Sequence, residues 1–150
     1  MHNDLNRLLN VFGNHLGLKS LKLKADGHCC LNLDDINVNI EASGENSSLL
    51  LYSSLGRLPD DAAGDACLRL LEANYFFQRM AGATLGMEAA TGLVAMAMTV
   101  ETANMELTDR EAAVRAFVDA AENCTQLFKA MLEGALAIVS TTGFNSINLA

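Results

Sequence analysis

Leu49-Leu50-Leu51-Tyr52 is apolar at every position, between segments of quite different pattern. Side chains of an extended chain alternate between the two faces of a sheet. A run that is apolar on both faces therefore suits a central strand, covered on each side by a helix, a partner chain or a bound peptide. The segments before it say what flanks such a strand. Ile36, Val38 and Ile40 alternate with Asn37, Asn39 and Glu41, the period of a half-buried strand. Asp34-Asp35 makes the turn before it, and Ala42 to Ser47 is a polar loop around Gly44. Leu21-Lys22-Leu23-Lys24 is a further period-two segment, joined through Ala25-Asp26-Gly27 to a strand from His28 to Leu33. A two-residue Asp-Gly turn would set Leu23 against Cys30 and Leu21 against Asn32, mixing apolar with polar. A three-residue loop with Gly27 in the left-handed conformation sets Leu23 against Cys29 and Leu21 against Leu31. That register collects the apolar residues on one face and is the one expected. Lys22, Lys24, His28, Cys30 and Asn32 then share the other face.

Helical spacing brackets these strands. Leu5, Leu8, Leu9, Phe12 and Leu16 predict an amphipathic helix, with Asp4 as N-cap and Gly17 just past its end. Gly13 inside it costs about 1 kcal/mol of helix propensity relative to Ala, which a close approach by another segment would explain. Pro59 and Asp60-Asp61 open a second helix carrying Cys67, Leu68, Leu71, Tyr75 and Met80, ending by Gly82. Phe76 and Phe77 widen its apolar surface, as in a helix with two neighbours. Thr84 to Met87 is a short strand and Glu88 to Gly92 a turn. Leu93 to Val100 is a longer strand with two unlike faces. Leu93, Ala95, Ala97 and Thr99 form a mostly small face that admits close approach. Val94, Met96, Met98 and Val100 form a bulky one that fills a core. Thr108 and Glu111 have the spacing of a capping box. A long amphipathic helix follows through Val114, Phe117, Val118, Ala121, Cys124, Phe128, Met131 and Leu132, ending at Gly134 or running on through Leu136 and Ile138. The order is αβββαββα. This is an α+β protomer with a twisted antiparallel sheet and three helices. Residues 1–139 are expected to form one domain and residues 140–150 a polar, mobile tail.

Composition narrows the function. A chain of 150 residues has the usual size of one domain. Ten Lys and Arg against 18 Asp and Glu give a net charge of −8, so the chain lacks the basic footprint of a nucleic-acid binder. With 51% hydrophobic and 19% charged residues it is not a disordered chain, and apolar surface can remain exposed once its core is full. The N-terminus shows no secretory signal pattern. The longest apolar stretch, near position 93, is about eight residues where a membrane span needs about 18, so no membrane insertion is expected.

Catalytic parts are few. There is no Gly-x-Ser-x-Gly elbow, P-loop or dinucleotide fingerprint. Gly82-Ala83-Thr84-Leu85-Gly86 leads into a strand, so it lacks the helix N-terminus that would hold a phosphate. Cys29, Cys30, Cys67 and Cys124 show no C-x-x-C spacing, and adjacent Cys29 and Cys30 point to opposite faces of a strand, so no metal site is expected. His15 reads as a surface histidine, and the paired aspartates as turn and helix-start residues. No cofactor is implied. The remaining signal is apolar surface, best explained by self-association and by grooves that bind polypeptide.

The pieces that carry a resemblance are spread from about Leu5 to Met131. They are Leu8-Leu9-Asn10-Val11-Phe12-Gly13 with Leu16-Gly17-Leu18, then Asp26-Gly27-His28-Cys29-Cys30-Leu31. Leu49-Leu50-Leu51-Tyr52 with Leu55-Gly56-Arg57-Leu58-Pro59 follows, then Leu70-Leu71-Glu72-Ala73-Asn74, Gly82-Ala83-Thr84-Leu85-Gly86-Met87 and Thr91-Gly92. In order, spacing and acidic balance the chain resembles the class I type III secretion chaperones, the Tir-chaperone-like family of small acidic bacterial proteins. The resemblance implies a cytoplasmic, non-enzymatic homodimer that binds the N-terminal region of one or more secreted effectors. It keeps the effector non-globular and helps deliver it to the secretion apparatus, with the secretion ATPase as a further partner. By that analogy Leu68, Leu71, Tyr75, Leu93, Ala95 and Ala97 form the dimer interface. Leu5, Leu8, Phe12, Leu21, Leu23, Leu31, Ile36 and Leu49 contact the effector, and an edge strand accepts an added effector strand. Two other readings stay open: a regulatory adaptor on the same fold, and a small thiol enzyme using Cys29 or Cys30.

Overall fold

The computed structural model describes residues 3–43, 47–75 and 80–141, with residues 62, 63 and 135–141 in backbone only. Helix α1 (Asn3–His15) precedes strands β1 (His28–Leu33), β2 (Ile36–Ser43) and β3 (Ser48–Arg57). A 3-10 turn (Asp60–Ala62) leads into α2 (Ala63–Asn74), followed by β4 (Thr84–Glu88), β5 (Leu93–Glu101) and α3 (Leu107–Thr141). The order αβββαββα is the one written from the sequence, without the additional strand expected at Leu21–Lys24. The five strands form one antiparallel sheet in the order β1-β2-β3-β5-β4, which puts β3 at its centre.

Register explains why one face became the core. Leu51 stands opposite Ile40 on β2 and Met98 on β5, and Leu49 opposite Val100. Leu31, Val38, Ile40, Leu49, Leu51, Val94 and Met96 are buried on this inner face. Leu5, Leu8, Leu9 and Phe12 of α1 and Val114, Phe117, Ala121 and Phe128 of α3 complete the core. The expected bulky face of Leu93–Val100 is thus the inner one. Gly56 lets α3 come this close: it sits at a bulge in β3 with φ 140°, and an added Cβ would lie 2.8 Å from the Phe128 ring.

Four sequence expectations need correction. Leu21–Lys24 is not a strand. The three-residue loop forms, with Gly27 at φ 80° and Lys24 N–H donating to the His28 carbonyl at 2.8 Å. The pairing does not grow into a ladder, and on the side away from β1 Leu23 N–H donates to Oδ1 of Asn6 on α1, also at 2.8 Å. The expected close approach at Gly13 comes from this segment: an added Cβ would stand 2.8 Å from Leu21 Cβ. The second helix ends at Asn74, and Met80 lies beyond it, fully buried, in the turn before β4. Phe76 and Phe77 lie outside the described residues. The capping box at α3 does not form. The helix begins at Leu107, so Thr108 is already inside it, and the Glu111 carboxylate is turned to His15 and Arg115. Leu16 is exposed, since α1 ends at His15. Helix α3 continues through Gly134 to Thr141, the second of the two alternatives.

Candidate functional site

Helix α2 turns Ala66, Cys67, Leu70 and Ala73 toward the core. Its last turn is fixed on the edge strand β4 by one side chain. Asn74 accepts from Leu85 N–H at 2.7 Å and donates to the Leu85 carbonyl at 3.0 Å, so an amide stands in for a neighbouring strand. This residue went unnoticed as a positioning group in the sequence. Docked in this way, α2 presents its opposite face to solvent. Leu68, Leu71 and Tyr75 are 63%, 65% and 66% exposed and follow one another at helical spacing. The outer face of the sheet adds the small side of β5, where Leu93, Ala95 and Ala97 are half-buried. These are the six positions expected at a dimer interface, and all of them keep solvent contact.

The eight residues expected at the effector site lie elsewhere. Leu5, Leu8, Phe12, Leu23, Leu31, Ile36 and Leu49 are buried in the core between α1 and the inner sheet face. Leu21 is half-buried beside Gly13. Apolar spacing reads the same for a core position as for a contact position, so the sequence had no means of separating them.

The sequence also missed a groove. Between α2 and α3 an opening of about 340 Å³ is lined by Leu55, Leu70, Met80, Leu127, Phe128 and Met131, with Arg69 and Glu72 at its rim. Leu127 is 60% exposed there.

Polar groups mark the other half of the outer sheet face. Tyr52 donates to Glu41 at 2.6 Å, and this bond, with burial, pushes its phenol up to about 12. His28 Nε2 is 3.1 Å from Oδ1 of Asn39. Cys29 is buried and Cys30 exposed, as alternation requires. Burial raises the thiols of Cys29 and Cys124, which disfavours the nucleophilic thiolate. Among the described residues no group of three His, Cys, Asp or Glu could hold a metal ion, and no helix is long and apolar enough to cross a membrane.

The model of the Tir chaperone protein (CesT) family matches residues 7–125. The chain belongs to this family. No curated protein matches it. A solved structure of the ExsC–ExsE complex contains a chain that is 26% identical, with a TM-score of 0.65, covering 85% of this chain and 96% of that one. The complex of ExoU with SpcU from the type III secretion system of Pseudomonas aeruginosa gives 17% identity and a TM-score of 0.63, covering 82% and 96%. The Yersinia pestis type III secretion chaperone SycH, in complex with a fragment of YscM2, gives 18% and 0.58, covering 79% and 98%. The resemblance read from the sequence is thus confirmed, and with it the α+β fold and membership of a chaperone family. The family match stops at Thr125, while α3 of this CesT-family chain continues to Thr141.

Proposed function

We propose that this chaperone is a homodimer that binds the N-terminal segment of a type III secreted effector in the bacterial cytoplasm. It holds that segment in extended, non-globular form and hands it to the secretion apparatus through contact with the secretion ATPase. It catalyses no reaction. The apolar stripe Leu68, Leu71 and Tyr75 on α2, left open in a single copy of a CesT-family chain, carries this reading. A second copy covers it together with the small face of Leu93, Ala95 and Ala97. The effector takes the opposite side, along α1 and the open edge of β1, where an added strand gains backbone hydrogen bonds. Leu21 is the position that offers it direct contact. Leu5, Leu8, Phe12, Leu23, Leu31, Ile36 and Leu49 shape that side from beneath.

The test is affinity capture from secretion-competent cells with identification of the bound chains, followed by binding of the captured protein's N-terminal segment alone. Stoichiometric capture of an exported protein through that segment is expected. Capture of a cytosolic protein that is never exported, with transcription altered on deletion, would replace the chaperone by the regulatory adaptor.

A further inference from the structure

Charge is unevenly distributed along the chain. Residues 5–25 hold four cations, Arg7, Lys19, Lys22 and Lys24, and no Asp or Glu. The remaining residues hold six cations and all 18 carboxylates, a net charge of −12. Lys19, Lys22 and Lys24 fall in the segment that links α1 to β1, and all three are exposed there. Leu16, exposed, and Leu18 and Leu21, half-buried, lie among them. Among the described residues no ion pair engages these lysines. The carboxylates that border the segment are taken by other groups. Asp26 accepts from His28 N–H at 3.1 Å, Glu41 from Tyr52 at 2.6 Å and Glu111 from Arg115 at 2.9 Å.

The lysine segment runs into the open edge of β1. Lys24 N–H donates to the His28 carbonyl at 2.8 Å, and the Lys22 backbone bonds the Cys29 thiol. Hydrogen-bonding groups on one edge of a strand recur at every second residue. Those of Cys30 and Asn32 therefore point out of the sheet beyond Lys24, on the side of β1 away from β2. We infer that the lysine strip and this edge together recognise an extended polypeptide that carries carboxylates among its apolar residues. The inference rests on the client-binding side proposed above and adds the charge of the client: the stretch that lies along β1 is locally acidic.

The edge selects the class of partner. Backbone N–H and C=O groups at strand spacing are matched by another peptide backbone, and not by a phosphate or a lipid headgroup. A long polyanion would also meet the net −12 of the rest of the chain. The lysines select the charge. At physiological ionic strength the field of distant carboxylates fades within about 8 Å, so an acidic side chain laid against the strip responds chiefly to the three ammonium groups. The leucines select the remainder. Leu16, Leu18 and Leu21 keep enough solvent contact to receive apolar side chains of the same stretch.

The test uses the isotope-labelled full-length protein and a synthetic peptide of alternating valine and glutamate. At low salt and millimolar concentration the peptide should shift the amide resonances from Lys19 to Asn32 and leave those of α2 in place. The response should weaken several-fold at high salt, and likewise when glutamine replaces glutamate in the peptide. Lys19→Glu combined with Lys22→Glu and Lys24→Glu alters only exposed side chains. It should keep the circular dichroism of the wild type and lower the affinity by about tenfold or more. Absence of shifts, shifts confined to another face, an equal response to the glutamine peptide or an undiminished response in the triple variant each overturns the inference. So does the same set of shifts with inorganic phosphate, which would make the strip a site for small anions. The chaperone reading is decided separately, by whether the wild type captures an exported protein, and stands or falls whatever these peptides do.

Discussion

Glu111 joins the two helices that clamp the core. Its carboxylate is paired with His15 on α1 and accepts from Arg115 Nη2 at 2.9 Å. The bond to His15, assisted by Arg115, holds its pKa below the ordinary carboxylate value. A lowered carboxylate contributes stability that is complete above its unfolded pKa and is lost as the pH falls through the folded one. Glu111→Gln should therefore melt below the wild type at neutral pH, and the gap should close as the pH drops below about 4. Thermal melts across that range check it. Gly13 poses the opposite question. Alanine would gain about 1 kcal/mol of helix propensity. It would also drive a methyl to 2.8 Å from Leu21 Cβ, in a segment anchored by Leu23 N–H on Asn6. Overpacking against an atom so near the backbone costs about 1–3 kcal/mol, so Gly13→Ala should be net destabilising in denaturant titration.

At the scale of elements, α2 is the piece least fixed by its own sequence. It has a modest buried side and is fastened to β4 by Asn74. Asn74→Ala leaves both backbone groups of Leu85 without these partners, a loss of about 1–3 kcal/mol where they are half-buried. Hydrogen exchange should show faster exchange at Leu85 and along α2, while β2 and β3 remain protected. A uniform loss of protection across the sheet would instead show that α2 unfolds only with the whole molecule. The reading of Leu21–Lys24 as a strand failed at this scale too. Two Leu-Lys repeats satisfy the period, but beyond the Lys24–His28 bond the segment is held to α1 through Leu23 N–H on Asn6 and through Leu21 beside Gly13. Thr108 and Glu111 failed alike. Their spacing is right for a capping box, yet the helix starts at Leu107 and Glu111 finds a closer cation in Arg115 and a partner in His15.

For the whole molecule, the sharpest expectation concerns assembly. Leu68 and Leu71 are about two-thirds exposed and take no part in the core, so charging them should leave the protomer folded. Leu68→Asp with Leu71→Asp should halve the mass measured by light scattering and keep the helical signal. An unchanged mass would place self-association on another face. On the proposed binding mode, in which the client contacts both protomers, the monomer should also bind it more weakly.

The sequence by itself determined the element order, the centrality of Leu49–Tyr52, the bulky inner face of Leu93–Val100 and the family. These follow from periodicity and turn chemistry, which act over a few residues and are written locally. Only the tertiary structure decided which apolar residues are core and which are surface. Leu8 and Leu68 are the same residue at the same helical spacing, yet one is fully buried and the other is 63% exposed. The difference lies in what the rest of the chain brings against each helix. Burial is a property of neighbours distant in sequence, and no local pattern records it. The groove between α2 and α3 is of that kind: its walls come from four separate stretches of chain and meet only when Asn74 has seated α2 on β4.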